Sequence, residues 1–97
     1  MKMVLISYYV GIEEELNEAL SSLGIEGFTK WERVLGRGKT SGPHLGTHIW
    51  PKTNALLSIA LEDTQASLLM QKVQGLKATP LGREGIKAFL WPIEKIV

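Results

Sequence analysis

Two groups of residues near the middle of the chain have the types and spacing for chemistry. The first is Gly36-Arg37-Gly38-Lys39-Thr40-Ser41-Gly42. Glycines let a backbone turn tightly and approach a ligand closely. Bare N–H groups in such a turn, with Arg37 and Lys39 beside them, favour an anion. As a phosphate-loop signal the stretch is weak. Neither GxxxxGK followed by Ser or Thr nor GxGxxG occurs in the chain. A hairpin tip carrying solvated cations explains the same residues. The second group is His44 and His48, spaced as HLGTH. Paired neutral imidazoles can begin a metal site. Gly46 between them opposes helical geometry, however, and a third ligand has to come from elsewhere. The expectation is therefore no metal, with His44 and His48 held as candidates only.

The elements that position these residues follow from periodicity. Residues 2–10 read as a strand that is apolar on both faces, with Val4, Ile6 and Tyr8 on one and Met3, Leu5 and Tyr9 on the other. Residues 12–23 form an amphipathic helix whose stripe is Ile12, Leu16, Ala19, Leu20 and Leu23. Glu13, Glu14 and Glu15 lie in its first turn as solvated charges that complement the helix dipole, and Gly24 stops it. Residues 28–35 are a second strand, and 36–51 a loop. Residues 54–61 are a third strand, apolar on both faces. Asp63 is the expected N-cap of a second helix reaching about residue 77. A turn-rich stretch, residues 79–85, leads into a last strand over 86–91, closed by Pro92. The tail 93–97 is apolar enough to pack. Trp31 and Trp91 read as core or interface anchors. Trp50, at the foot of the loop, is a candidate contact for a partner protein.

The order β-α-β-β-α-β is the split βαβ, or ferredoxin-like, arrangement. The fold class is α+β: one four-stranded antiparallel sheet with both helices on one face, in a single domain over residues 1–97. The other sheet face carries apolar side chains and has no cover in a single chain. Such a face marks an interface, so a closed homo-oligomer is expected.

Composition sets the outer bounds. The 97 residues are 44% hydrophobic and 22% charged, which is a globular balance. The net charge is +1, but it is unevenly spread. Residues 30–52 hold Lys30, Arg33, Arg37, Lys39 and Lys52 against Glu32 alone. That local positive potential suits a small anion better than a polyanion. There is no cysteine, hence no disulfide and no thiolate metal site. No signal-peptide pattern and no membrane-length apolar run occur, so a cytoplasmic protein without membrane insertion is the default.

At this point five motifs in order resemble the PII signalling proteins. Gly24-Ile25-Glu26-Gly27-Phe28-Thr29 looks like that family's GVxGxT, and Glu32 matches a glutamate of its second strand. Gly36-Arg37-Gly38 resembles the GFG that opens its long loop, and Pro51-Lys52 the PK that closes it. Residues 87–97, KAFLWPIEKIV, resemble the KIFVxPVEEVV of its last strand. The resemblance implies a homotrimer with inward-facing sheets. It implies ATP or ADP in clefts between subunits, and control of a target protein, in nitrogen regulation, through the flexible loop. It implies no enzymatic chemistry.

By position, Thr29 would meet the adenine, Gly36, Arg37 and Gly38 would line the cleft, and Lys87 would reach phosphates from the neighbouring subunit. Lys39 and Arg83 are further cations able to do similar work. His44, His48 and Trp50 would face the partner protein. Several features depart from the family pattern. The 36–51 loop is short and has no tyrosine to modify. Ile86 stands where a glycine is usual. These leave the ligand open among ATP, ADP, another adenine nucleotide and a different anion. The alternatives from other classes are a CutA-like metal-binding trimer using the loop histidines, and an interaction module with no ligand. Nucleic-acid binding is not expected, because the central strands lack the aromatic RNP pattern of RNA-binding modules with this topology. No nucleophile-plus-base arrangement suggests an enzyme.

Overall fold

The computed structural model describes residues 1–39, 42–46 and 52–97. Strand β1 (Lys2–Tyr9) leads through a 3-10 turn (Val10–Ile12) into helix α1 (Glu13–Ser22). Strand β2 (Thr29–Val34) follows, then two short strands, β3 (Gly36–Gly38) and β4 (Gly42–His44). Strand β5 (Asn54–Leu61), helix α2 (Asp63–Lys77), a second 3-10 turn (Gly82–Glu84) and strand β6 (Ile86–Pro92) complete the chain. The main sheet has the order β2-β5-β1-β6, and every pairing in it is antiparallel. This is the ferredoxin-like arrangement read from the residues. The addition is a separate two-stranded ribbon, β3-β4, inside the stretch expected to be loop.

The alternation of each strand decides which face is core. Val4, Ile6 and Tyr8 of β1, Ala55, Leu57, Ile59 and Leu61 of β5, and Ile86 of β6 are buried together. Ile12, Leu16 and Leu20 from the first helical segment and Ala66, Leu69 and Val73 from α2 cover them. Gly24 takes φ +69° and ends α1 as expected, letting the Ile25 N–H reach back to the Leu20 carbonyl.

The opposite sheet face is uncovered in the chain. Across it run cross-strand pairs of apolar residues: Trp31 with Leu56, Leu5 with Phe89, and Met3 with Trp91. Trp31 and Phe89 are each 48% exposed and Trp91 44%. Trp31 and Trp91 therefore belong to an open face and not to the core.

Four local expectations need correction. Phe28 lies outside β2 and is exposed. Asp63 is the first residue of α2 rather than its cap; Glu62 holds the cap position without a side-chain bond, and Asp63 pairs with the N-terminal ammonium at 3.2 Å. The tail does not pack within the chain, because Ile96 and Val97 reach beyond the last strand into solvent.

Glu13, finally, is not merely solvated. It accepts a bond from the Tyr8 hydroxyl at 2.7 Å and pairs with Lys30, tying β1, α1 and β2 together. Burial, and then the bond to Glu13, push the Tyr8 phenol well above its ordinary range. The bond from Lys30, and then that from Tyr8, hold the Glu13 carboxyl below its usual value. A depressed carboxylate stabilises the fold above the pKa of the unfolded chain, about 4.3, and that contribution is lost as pH falls through the folded value. Glu13→Gln is accordingly expected to flatten the acid limb of stability below about pH 5. Urea midpoints measured from pH 3 to 7 check this; a limb as steep as that of the parent protein would exclude Glu13 as a contributor.

Candidate functional site

At the end of the sheet where β1 stops and β6 begins, a pocket of about 660 Å³ opens. Its rim on one side is the β3-β4 ribbon. There Gly36 pairs with His44, Arg37 with Pro43 and Gly38 with Gly42. Gly36 passes so close to Asn54 that a Cβ would lie 3.0 Å from its amide nitrogen. Just past that same end of the ribbon, the Gly46 N–H donates to the Lys52 carbonyl at 3.0 Å. Gly46 has φ +63°, a conformation that suits glycine.

The other side of the rim is the turn before β6. Thr79 Oγ1 donates to the Leu76 carbonyl at 2.6 Å and accepts the Gly82 N–H at 3.1 Å. The Arg83, Glu84 and Gly85 N–H groups each donate to a carbonyl within the same turn. The Tyr9 N–H then donates to the Gly85 carbonyl at 2.8 Å, which fastens the turn to the end of β1. Lys52 and Glu84 form an ion pair between the foot of the loop and this turn. Their mutual hydrogen bond holds the Glu84 carboxyl down and the Lys52 ammonium up.

Between the two rims the lining is strongly one-signed. Arg37, Lys39, Lys77, Arg83 and Lys87 border the pocket, and among the described residues no carboxylate does. Among the described residues none of these five cations forms a salt bridge. Their potential is uncompensated, and a concave wall focuses it. Chemically the pocket is built to take an anion, with glycine backbone on one wall.

Six of the seven nucleotide-site candidates thus meet in one pocket: Gly36, Arg37, Gly38, Lys39, Arg83 and Lys87. Lys87 shares it with the ribbon of its own chain. Thr29 does not line it; Thr29 is exposed at the start of β2, opposite Ser58. Ile86 occupies the expected glycine position but turns into the core, because it stands opposite Tyr8 on the helix-covered face. His48 and Trp50 lie outside the described residues. His44 is buried and borders the pocket. Among the described residues no group of three metal-ligating side chains occurs. Lys77, Asn54 and Ser7 also line the pocket, and sequence spacing gave no sign of it. Lys77 ends α2, far along the chain from the glycine segment; only the fold of that helix over the sheet brings it there.

The profile of the family described as nitrogen regulatory protein P-II matches residues 1–97. The chain belongs to the P-II family. As a member it is a PII-like regulatory protein. Two solved structures of CPII, a nitrogen regulatory PII-like protein from Thiomonas intermedia K12, share its fold. One, bound to ADP, AMP and bicarbonate, is 16% identical with a TM-score of 0.74. The other, bound to ADP and bicarbonate, is 18% identical with a TM-score of 0.73. Each alignment covers 93% of this chain and 82% of the other. No curated protein sequence matches the chain. Among the described residues no helix is long and apolar enough to cross a membrane.

Proposed function

We propose that this PII-like protein is a cytoplasmic sensor in which the cationic pocket holds the phosphates of an adenine nucleotide. The observation that carries the reading is the set of five cations around glycine backbone, which form no salt bridge and meet no acid in the lining among the described residues. ADP and ATP are the first ligands to consider. AMP and bicarbonate join them because the CPII structures hold ADP, AMP and bicarbonate. Gly36, Arg37 and Gly38 supply backbone and charge on one side, and Lys39, Arg83 and Lys87 supply charge around the rest.

The working unit in this proposal is a homotrimer. Ser7, Lys87 and Phe89 belong both to the open sheet face and to the pocket. A second copy seated on that apolar face therefore walls the pocket and turns it into a cleft between subunits. In such a cleft Thr29 reaches the adenine only from a neighbouring copy. Ligand binding shifts the conformational population of the 36–51 loop and so its affinity for a target protein, in nitrogen regulation or a related pathway. No bond is made or broken, and no metal takes part.

Isothermal calorimetry with ATP, ADP, AMP and bicarbonate, on protein whose mass is measured by light scattering, tests this. Saturable binding of a nucleotide to a trimer, without turnover, is the expected result. An intact trimer that binds none of the four would overturn the sensor reading.

A further inference from the structure

The pocket built by one chain reads charge and little else. Its cations would hold inorganic pyrophosphate as readily as a nucleoside diphosphate. Besides His44, the only aromatic ring in the described lining is Phe89, which stands exposed on the uncovered side of the sheet. A purine is a flat, largely apolar surface, and an aromatic face for it to stack on is what separates it from a bare phosphate chain.

The register of the sheet shows where a second aromatic face comes from. Trp31 stands opposite Leu56, Leu56 opposite Ser7, and Ser7 opposite Lys87. These four side chains form one row across the open face, because residues directly opposite one another point to the same side. Ser7 and Lys87 line the pocket and Trp31 does not. Trp31 is on β2 and Lys87 on β6, the two edge strands of the main sheet. Three strand spacings, about 14 Å, separate them, so Trp31 is out of reach of the pocket of its own chain.

A threefold ring removes that separation. Its contacts are heterologous, so each copy presents one side to one neighbour and a different side to the next. The apolar face runs to both edges of the sheet, with Trp31 at one and Phe89 and Trp91 at the other. The β2 side of one copy accordingly meets the β6 side of the next. Rotation about an axis keeps every residue at its own height along that axis. With the strands running along it, the row that Trp31 and Lys87 share within a chain is also shared across the contact. Trp31, 48% exposed in the chain, has the free ring surface for it.

We propose that Trp31 of the partner subunit closes the pocket and stacks on the base of the bound nucleotide, so that the trimer selects a nucleoside diphosphate over inorganic pyrophosphate. This rests on the trimeric nucleotide reading given above. The cations of one copy hold the phosphates, and the ring of the next reads the base.

Calorimetry with ADP and with inorganic pyrophosphate, on trimers verified by light scattering, tests this. Trp31→Ala is expected to weaken ADP at least about fivefold, the lower value of one base stacked on an aromatic ring, and to leave pyrophosphate as in the parent protein. Trp31→Phe keeps a ring and is expected to recover most of the loss. Refolding Trp31→Ala chains together with chains carrying both Arg83→Ala and Lys87→Ala shows which copy supplies the ring. In a mixed trimer some pockets combine intact cations with an intact Trp31 from the other chain, so a fraction of sites regains parental ADP affinity. A ring and pocket in the same chain would give no such fraction. Unchanged ADP binding by Trp31→Ala, equal losses of ADP and pyrophosphate, or no high-affinity fraction in the mixture would overturn the inference and leave the sensor reading standing. A parent trimer that binds neither ADP nor pyrophosphate would also overturn it, and if ATP, AMP and bicarbonate fail as well, the sensor reading falls with it. Should Trp31→Ala not assemble, the parent protein decides alone: 8-azido-ADP is expected to photolabel Trp31, and labelling only elsewhere would overturn the inference.

Discussion

Replacing both Arg83 and Lys87 with alanine is expected to weaken nucleotide binding by more than about a hundredfold, since each hydrogen bond to a charged group contributes roughly 1.5–3 kcal/mol. The two residues line the pocket from neighbouring elements, the 3-10 turn and the start of β6. Both are exposed, and neither forms an ion pair among the described residues. Removing them should therefore leave stability nearly unchanged, as is usual for surface substitutions. Lys87→Ala alone is expected to lose at least about tenfold on the same scale. Calorimetry against ADP, with a urea melt on the same sample, separates loss of affinity from loss of fold. A folded double variant with parental affinity would remove both residues from the site.

Gly82→Ala is expected to be strongly destabilising. A Cβ at Gly82 would stand 1.9 Å from the Leu76 carbonyl oxygen and 2.8 Å from the Lys77 Cα. Both are backbone atoms in the last turn of α2, so no side chain can swing aside. The turn has to move, and with it the Gly82 N–H bond to Thr79 and the Gly85 N–H bond to the Gly82 carbonyl. Overpacking of this kind costs about 3 kcal/mol, the upper part of the usual range, when the neighbour cannot yield. Because Arg83 rides on the displaced turn, nucleotide affinity should fall as well. Gly75→Ala is the control. That glycine is helical, and its new Cβ would meet nothing within 4 Å. Ordinary helix propensity then predicts a gain approaching about 1 kcal/mol. Equal urea midpoints for Gly82→Ala and the parent protein would refute the steric argument.

Much of this protein is written in local pattern. The strand alternation of residues 2–9, the stripe Ile12–Leu16–Leu20 and the stop at Gly24 are one-dimensional signals, because each depends on neighbours within a helical turn or a strand pair. The same is true of the glycine-rich cationic segment, whose residue types alone favour an anion. The two-faced strands announced an open apolar face for the same reason: a side chain's face is fixed by its parity in the strand.

Other features were decided only by the tertiary structure. Residues 36–38 and 42–44 pair as a ribbon, although three glycines and a proline carry almost no strand signal; the ribbon is braced against Asn54. Glu13 is tied down, though still partly exposed, because the fold brings Tyr8 and Lys30 to it. The pocket gathers Arg37, Lys77 and Lys87 from segments far apart in the chain. No spacing rule connects those positions, since their proximity follows from α2 crossing the sheet and β6 pairing with β1. His44 shows the limit most plainly. As one of two loop histidines it was a candidate partner contact or half a metal site. Its burial and its bond to Asn54, ten residues on and on another strand, come from the fold. A sequence records which groups can donate, accept or carry charge. Which of them lose water, and which are left facing one another, is settled only when distant segments pack.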